Sequence, residues 1–64
     1  MTQNHAIKKM LKTNKLYIRS GKYWIEQKIS HITWSEDTGV TIVYECGRVS
    51  LETIIKKYKV KYKL

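Results

Sequence analysis

From Ile29 to Ser50 the chain runs Ile-Ser-His-Ile-Thr-Trp-Ser-Glu-Asp-Thr-Gly-Val-Thr-Ile-Val-Tyr-Glu-Cys-Gly-Arg-Val-Ser. Ile32 and Trp34 alternate with Thr33, the segment Ser-Glu-Asp-Thr-Gly turns the chain, and Val40, Ile42 and Tyr44 alternate with Thr41 and Glu45. Period-two alternation of β-branched and aromatic residues around a loop that ends in Gly predicts a β-hairpin. Its strands are expected near residues 30–35 and 40–46, with Ile32, Trp34, Ile42 and Tyr44 building the core. Its tip carries Glu36 and Asp37, which would repel a phosphate backbone, so the hairpin is expected to be the structural spine and not the working surface.

On the N-terminal side, Ala6, Ile7, Met10 and Leu11 form one apolar stripe at helical spacing, predicting a helix from Thr2 to Asn14. Thr2 or Asn4 can cap its start, and Asn14 tolerates the left-handed conformation that stops a helix. Leu16 to Ser20 then reads as a strand with Leu16 and Ile18 inward and Tyr17 and Arg19 outward, followed by a turn at Gly21. Tyr23 to Ile29 is the next strand, with Tyr23 and Ile25 on one face. The parity changes between Ile29 and Ile32, which predicts a β-bulge or break near Ser30.

On the C-terminal side, Gly47-Arg48-Val49 closes the hairpin and Ser50 is a good N-cap. Leu51, Ile54, Ile55 and Tyr58 then fall at i, i+3, i+4 and i+7, predicting a helix from Leu51 to about Tyr58. In the tail, Lys59 to Leu64, lysine alternates with apolar residues; an edge strand with Val60, Tyr62 and Leu64 inward and a fraying helix end both match that pattern. The expected fold class is α+β. A short N-terminal helix and a small antiparallel sheet of three to five strands, built on the central hairpin, precede a short C-terminal helix with a basic tail.

Sixty-four residues make a single small domain, which buries only about 60% of the surface its unfolded chain exposes. Cys46 is the only cysteine and is expected as a small buried strand residue, while His5 and His31 lie far apart. Neither a disulfide framework nor a zinc site is available, and no cofactor is expected. Enzyme classes fail on inventory. Glu36 and Asp37 sit at a hairpin tip, His31 has no nucleophile or orienting carboxylate assigned to it, and Ser20-Gly21-Lys22 lacks the spacing of a phosphate-binding loop. The first residues lack the apolar run of a signal peptide, and no stretch approaches the roughly 20 apolar residues of a membrane span. No membrane partner is expected, and a soluble, cytoplasmic protein is.

The net charge is +8, and its placement is more informative than its size. Lys8, Lys9, Lys12, Lys15, Arg19 and Lys22 precede the first acid, and Lys56, Lys57, Lys59, Lys61 and Lys63 follow the last one. Two basic ends around a mildly acidic middle point to a polyanion, DNA or RNA before membrane. The candidate nucleic-acid contacts are those eleven residues with Arg48 and Tyr62. With 11 lysines and two arginines, backbone binding is favoured over detailed base readout, and affinity should fall steeply with salt. Lysine in the tail also protects an exposed edge strand from aggregation, and the two roles are compatible. Trp24 and Trp34 could stack on bases; Trp34 is assigned to the core, while Trp24, whose parity is opposite to Tyr23 and Ile25, fits either place.

Leu-Tyr-Ile-Arg-Ser, Lys-Tyr-Trp-Ile-Glu, Ile-Ser-His-Ile and Thr-Ile-Val-Tyr, followed by Gly and a Val-Ser turn, resemble the second half of LytTR-type DNA-binding domains. The resemblance implies that Arg19 matches the family's strand arginine, Ile29 and Ile32 its paired isoleucines, and Ser50 its turn serine. Ser20-Gly21-Lys22 stands where that family carries His and a polar residue, and the family's first half has no counterpart. A helix followed by short strands is also similar to Sm-like and SH3-like small barrels, many of which bind RNA. The expected function is a small non-enzymatic nucleic-acid-binding protein, a transcriptional or other regulator. The alternative is a phage- or mobile-element-type module that inhibits or modulates a host protein. An edge strand also offers a route to a homodimer or to strand addition on a partner.

Overall fold

In the computed structural model, which describes residues 1–64, Asn14 sets where the first helix stops. It adopts the left-handed conformation at φ 58°, and its N–H donates to the Met10 carbonyl at 2.7 Å. At the other end the Thr2 hydroxyl accepts from the His5 N–H at 3.2 Å, so α1 (Gln3–Thr13) is capped at both ends as the sequence predicts. The chain then passes directly into β1 (Lys15–Ser20), β2 (Tyr23–Ser35), β3 (Gly39–Tyr44), β4 (Gly47–Ser50), α2 (Leu51–Lys56) and β5 (Tyr62–Lys63). The strands form one antiparallel sheet in the order β4-β3-β2-β1-β5, so the α+β architecture built on a central hairpin is the one observed.

Both helices lie on one side of the sheet. Ala6 and Met10, one turn apart on α1, and Leu51 and Ile54 on α2 close over Leu16, Ile29, Ile42 and Tyr62. Ser50 caps α2, its hydroxyl accepting from the Thr53 N–H at 3.2 Å, as its position in the sequence suggests.

The segments expected as two strands, 23–29 and 30–35, form the single thirteen-residue strand β2. Its first half pairs with β1 and its second half with β3. The register shifts between Ile29 and His31, where Ser30 is the extra residue. That bulge keeps Ile29 and Ile32 both on the helix side, and Lys28 and His31 both on the opposite side. The turn between β1 and β2 needs Gly21, at φ 61°, in the first of two loop positions, as in a type II′ hairpin turn.

Several expectations are corrected. Trp34 is 69% exposed and not in the core: it sits at the far end of β2, opposite Val40. The physical reason is reach. The helices, roughly 16 and 9 Å long against a body of 35 Å, reach Trp34 only with their first residues, Gln3, Leu51 and Glu52, and leave most of the indole in solvent. Tyr23 and Ile25 share one face, as predicted, and that face is the helix side, but both are exposed because they lie at the starting end of β2. Cys46 lies exposed in the two-residue turn between β3 and β4 instead of within a strand. The segment after it, expected only to close the hairpin, is the edge strand β4. Helix α2 stops at Lys56, not near Tyr58. A turn follows in which Lys59 has φ 67° and the Lys61 and Tyr62 N–H groups donate to the Lys57 carbonyl, at 2.9 and 3.2 Å. That turn leaves Val60 exposed and shortens the tail strand to Tyr62–Lys63.

Candidate nucleic-acid interface

Because both helices pack on one side, the other face of the sheet is uncovered. Strand parity decides which side chains stand there. The pairings Tyr17↔Glu26, Arg19↔Trp24 and Tyr17↔Lys63 put these five side chains on the open face of β5, β1 and β2. Lys15 and Lys28 share a cross-strand pair on the same face.

At the centre is the Trp24 ring. The Lys63 ammonium lies 5.1 Å from its centroid and the Arg19 guanidinium 6.0 Å from it. Lys63 also lies 5.8 Å from the Tyr17 ring, so one cation bridges two aromatic faces. Arg19 is further steadied by its Nε donating to the Gly21 carbonyl at 3.0 Å. Glu26 is the one carboxylate in this part of the face, and it is engaged on both sides. It pairs with the Lys15 ammonium at 3.2 Å and accepts from the Tyr17 hydroxyl at 3.3 Å. Both charged partners are about half exposed, so the pair contributes little to stability, on the order of 0–1 kcal/mol. Its larger effect is to hold Tyr17 and to mask the one negative charge beside Trp24.

The other predicted contacts are dispersed. Lys8 and Lys12 project from α1 on the side opposite Ala6 and Met10, away from the sheet, with Lys9 on the flank. Lys22 is exposed in the β1–β2 turn. Lys56 and Lys57 end α2, and Lys59 lies over the Tyr58 ring at 5.9 Å. Lys61 lies 5.8 Å from the Tyr62 ring, but Tyr62 is only 7% exposed and belongs to the core, so its ring is not available for stacking. Of the basic tail, only Lys63 joins the aromatic cluster. Arg48 stands on the open face of β4, toward the other end of the sheet.

No family model, curated protein or solved structure matches the chain. No three of its His, Cys, Asp and Glu side chains gather at one point, and no helix is long and apolar enough to cross a membrane.

Tyr17 and Arg19 were legible in the sequence as outward-facing residues; Trp24, of opposite parity to Tyr23 and Ile25, fitted either place, and its pairing with Arg19 puts it on the open face. The juxtaposition of all three with Lys63 was not legible, because it depends on β5 returning to pair with β1, across a separation that no local pattern encodes.

Proposed function

We propose that the protein binds single-stranded nucleic acid on the open face of its sheet, without catalysing a reaction. Bases stack on Trp24 and Tyr17, and phosphates are held by Arg19, Lys63 and the lysines around them. The observation that carries this is the Trp24 ring, flanked by two cations at 5.1 and 6.0 Å on a face no helix covers. An aromatic platform suits any unstacked base, because every base has a π-face, and the adjacent cations meet the backbone. Arg19 is held by Trp24 and the Gly21 carbonyl, which favours sequence-tolerant binding over the base reading that the LytTR resemblance implies for it. The small-barrel resemblance points the same way, since many such domains bind RNA.

Trp34 lies on the helix side of the sheet, so a Trp34→Phe background leaves Trp24 as the only tryptophan reporting on the open face. In that background, titration with a single-stranded oligonucleotide is expected to quench the fluorescence. Binding measured by anisotropy should weaken sharply between low and moderate salt. Trp24→Ala should weaken it roughly 5- to 150-fold, the equivalent of about 1–3 kcal/mol for one stacked base. Equal affinity for wild type and Trp24→Ala would sink the proposal.

A second function, docking on a protein partner such as a host enzyme, is favoured by the exposed apolar side chains Trp34, Tyr23 and Val60 and by the edges of β4 and β5. Recovery of one stoichiometric protein in a pull-down after nuclease treatment supports it; a treated sample that retains no protein, with nucleic acid alone in the untreated one, refutes it.

A further inference from the structure

We infer that the same open face carries a separate phosphate subsite, in a groove formed by β2, β3 and β4. The pairings His31↔Val43 and Val43↔Arg48 set one row of side chains across the three strands; Thr33↔Thr41 and Thr41↔Ser50 set the next. With Thr38 and Val49, these six residues line a groove of about 560 Å³, large enough for a small ligand or one nucleotide unit. At ~4.8 Å between strands, the backbones of His31 and Arg48 are roughly 10 Å apart, with Val43 between them as a floor. Two nitrogen-bearing residues therefore flank Val43 on the open face, their backbones far enough apart for one tetrahedral anion and its contacts to lie between them.

The donor set selects an anion. No carboxylate lines the groove, and the only ion pair in the protein is Lys15–Glu26, so the Arg48 guanidinium has no internal counter-charge. Its planar fork matches two phosphate oxygens at once. The Thr33 and Thr41 hydroxyls add neutral donors. Ser30 Oγ occupies His31 Nδ1 at 3.1 Å, which leaves Nε2 as the free nitrogen of that ring. Ser50 only frames the wall, because its hydroxyl is engaged with the Thr53 N–H and, at 2.7 Å, the Thr53 hydroxyl.

The bulge at Ser30 is what joins the two sites. It places His31 on the face that already carries Trp24 and Lys28, so platform and groove lie along one strand. Seven steps along β2, one of them at the Ser30 bulge, take the chain from Trp24 to His31, roughly 20–23 Å at ~3.3 Å per residue. A stacked strand advancing ~3.4 Å per nucleotide needs about six to seven nucleotides to cover that distance. Assigning the phosphate to a nucleic-acid strand rests on the function proposed above; the groove's preference for a phosphate group does not.

The test compares wild type with Arg48→Gln on oligothymidylates of three and ten nucleotides, alongside a titration with inorganic phosphate followed by amide NMR. The trimer can occupy the platform alone, and the ten-mer reaches both sites. Arg48→Gln is expected to weaken the ten-mer about tenfold and leave the trimer unchanged, the loss belonging to one charge-assisted contact. Arg48→Lys should recover only part of it, because it keeps the charge and loses the fork. Phosphate should shift the amides of Thr33, Thr41 and Arg48 in wild type and not in Arg48→Gln. Equal ten-mer affinity in Arg48→Gln, or phosphate that moves no groove amide, overturns the subsite. If phosphate moves the groove amides while neither oligonucleotide binds wild type, the single-strand function fails and the subsite stands.

Discussion

Replacing Ile42 by alanine and, separately, Trp34 by alanine should destabilise the protein in the reverse order of side-chain size. Ile42 is fully buried in the middle of the sheet between β2 and β4, with Ile32 and Val49 as its cross-strand neighbours. Truncating such a residue loses its transfer free energy and leaves a cavity, costing about 2–5 kcal/mol. A 64-residue chain has a total stability of roughly 3–10 kcal/mol at 0.05–0.15 kcal/mol per residue, so this one change removes a large share of it. Trp34 is 69% exposed, so only about 30% of its surface is covered. Taking roughly 250 Å² for the side chain, some 75 Å² at ~25 cal/mol per Å² gives about 2 kcal/mol as an upper bound. Alanine retains part of that contact, which brings the expected cost to about 1 kcal/mol. Urea unfolding at 25 °C, followed by far-ultraviolet circular dichroism, measures both. In thermal melts Trp34→Ala should lower Tm by roughly 4–8 °C, whereas Ile42→Ala should lower it several times further or leave no cooperative transition. If Trp34→Ala proves as costly as Ile42→Ala, the indole packs into the core and the description of the sheet's uncovered end is wrong.

Three further outcomes follow from individual side chains. Gln27 stands on the helix side of β2 opposite Leu16, and its buried Oε1 has no hydrogen-bond partner, so Gln27→Leu should raise stability by about 1 kcal/mol in the same urea assay. Glu26→Gln removes the carboxylate beside Trp24 and should tighten oligonucleotide binding about two- to fivefold at low salt, an effect that fades as salt is raised. Its unfolding free energy should change by less than about 1 kcal/mol, because the ion pair it breaks is half exposed. Ser50→Ala deletes the α2 cap and should cost about 0.5–2 kcal/mol, while Ser50→Asp, which can accept the same Thr53 N–H, should restore most of it in thermal melts.

Much of the fold was legible because it rests on short-range constraints. Asn14 and Ser50 end and begin helices through backbone conformation and a single hydroxyl, effects that operate within four residues. The parity change between Ile29 and Ile32 located the bulge, because two isoleucines that must share a face cannot do so at odd separation without an extra residue. The strand β4 was missed because its turn, Glu45-Cys46, carries none of the Asn-Gly chemistry that signals a two-residue hairpin. The tail was half legible. Tyr62 and Leu64 face the core as alternation predicts, but the turn at Lys59 removes Val60 from the strand.

Alternation of side chains along a strand follows from the pleat alone, so the sequence by itself determined which residues of one strand share a face and that Tyr17 and Arg19 stand outward, while the β1–β2 register put Trp24 beside them. The sequence also determined both ends of α1, the start of α2 and the excess of positive charge. Only the tertiary structure decided which of those faces is covered. Burial depends on how far two short helices extend over a 35 Å body, and that length exposes Trp34 while filling the core with Met10, Leu51 and Ile54. It likewise decided which lysines matter, since β5 brings Lys63 to Trp24 and leaves Lys8 and Lys12 on the opposite side of the molecule. The physical reason is that charge and parity are properties of single residues and local backbone, whereas a binding surface is made by pairing strands that are distant in sequence.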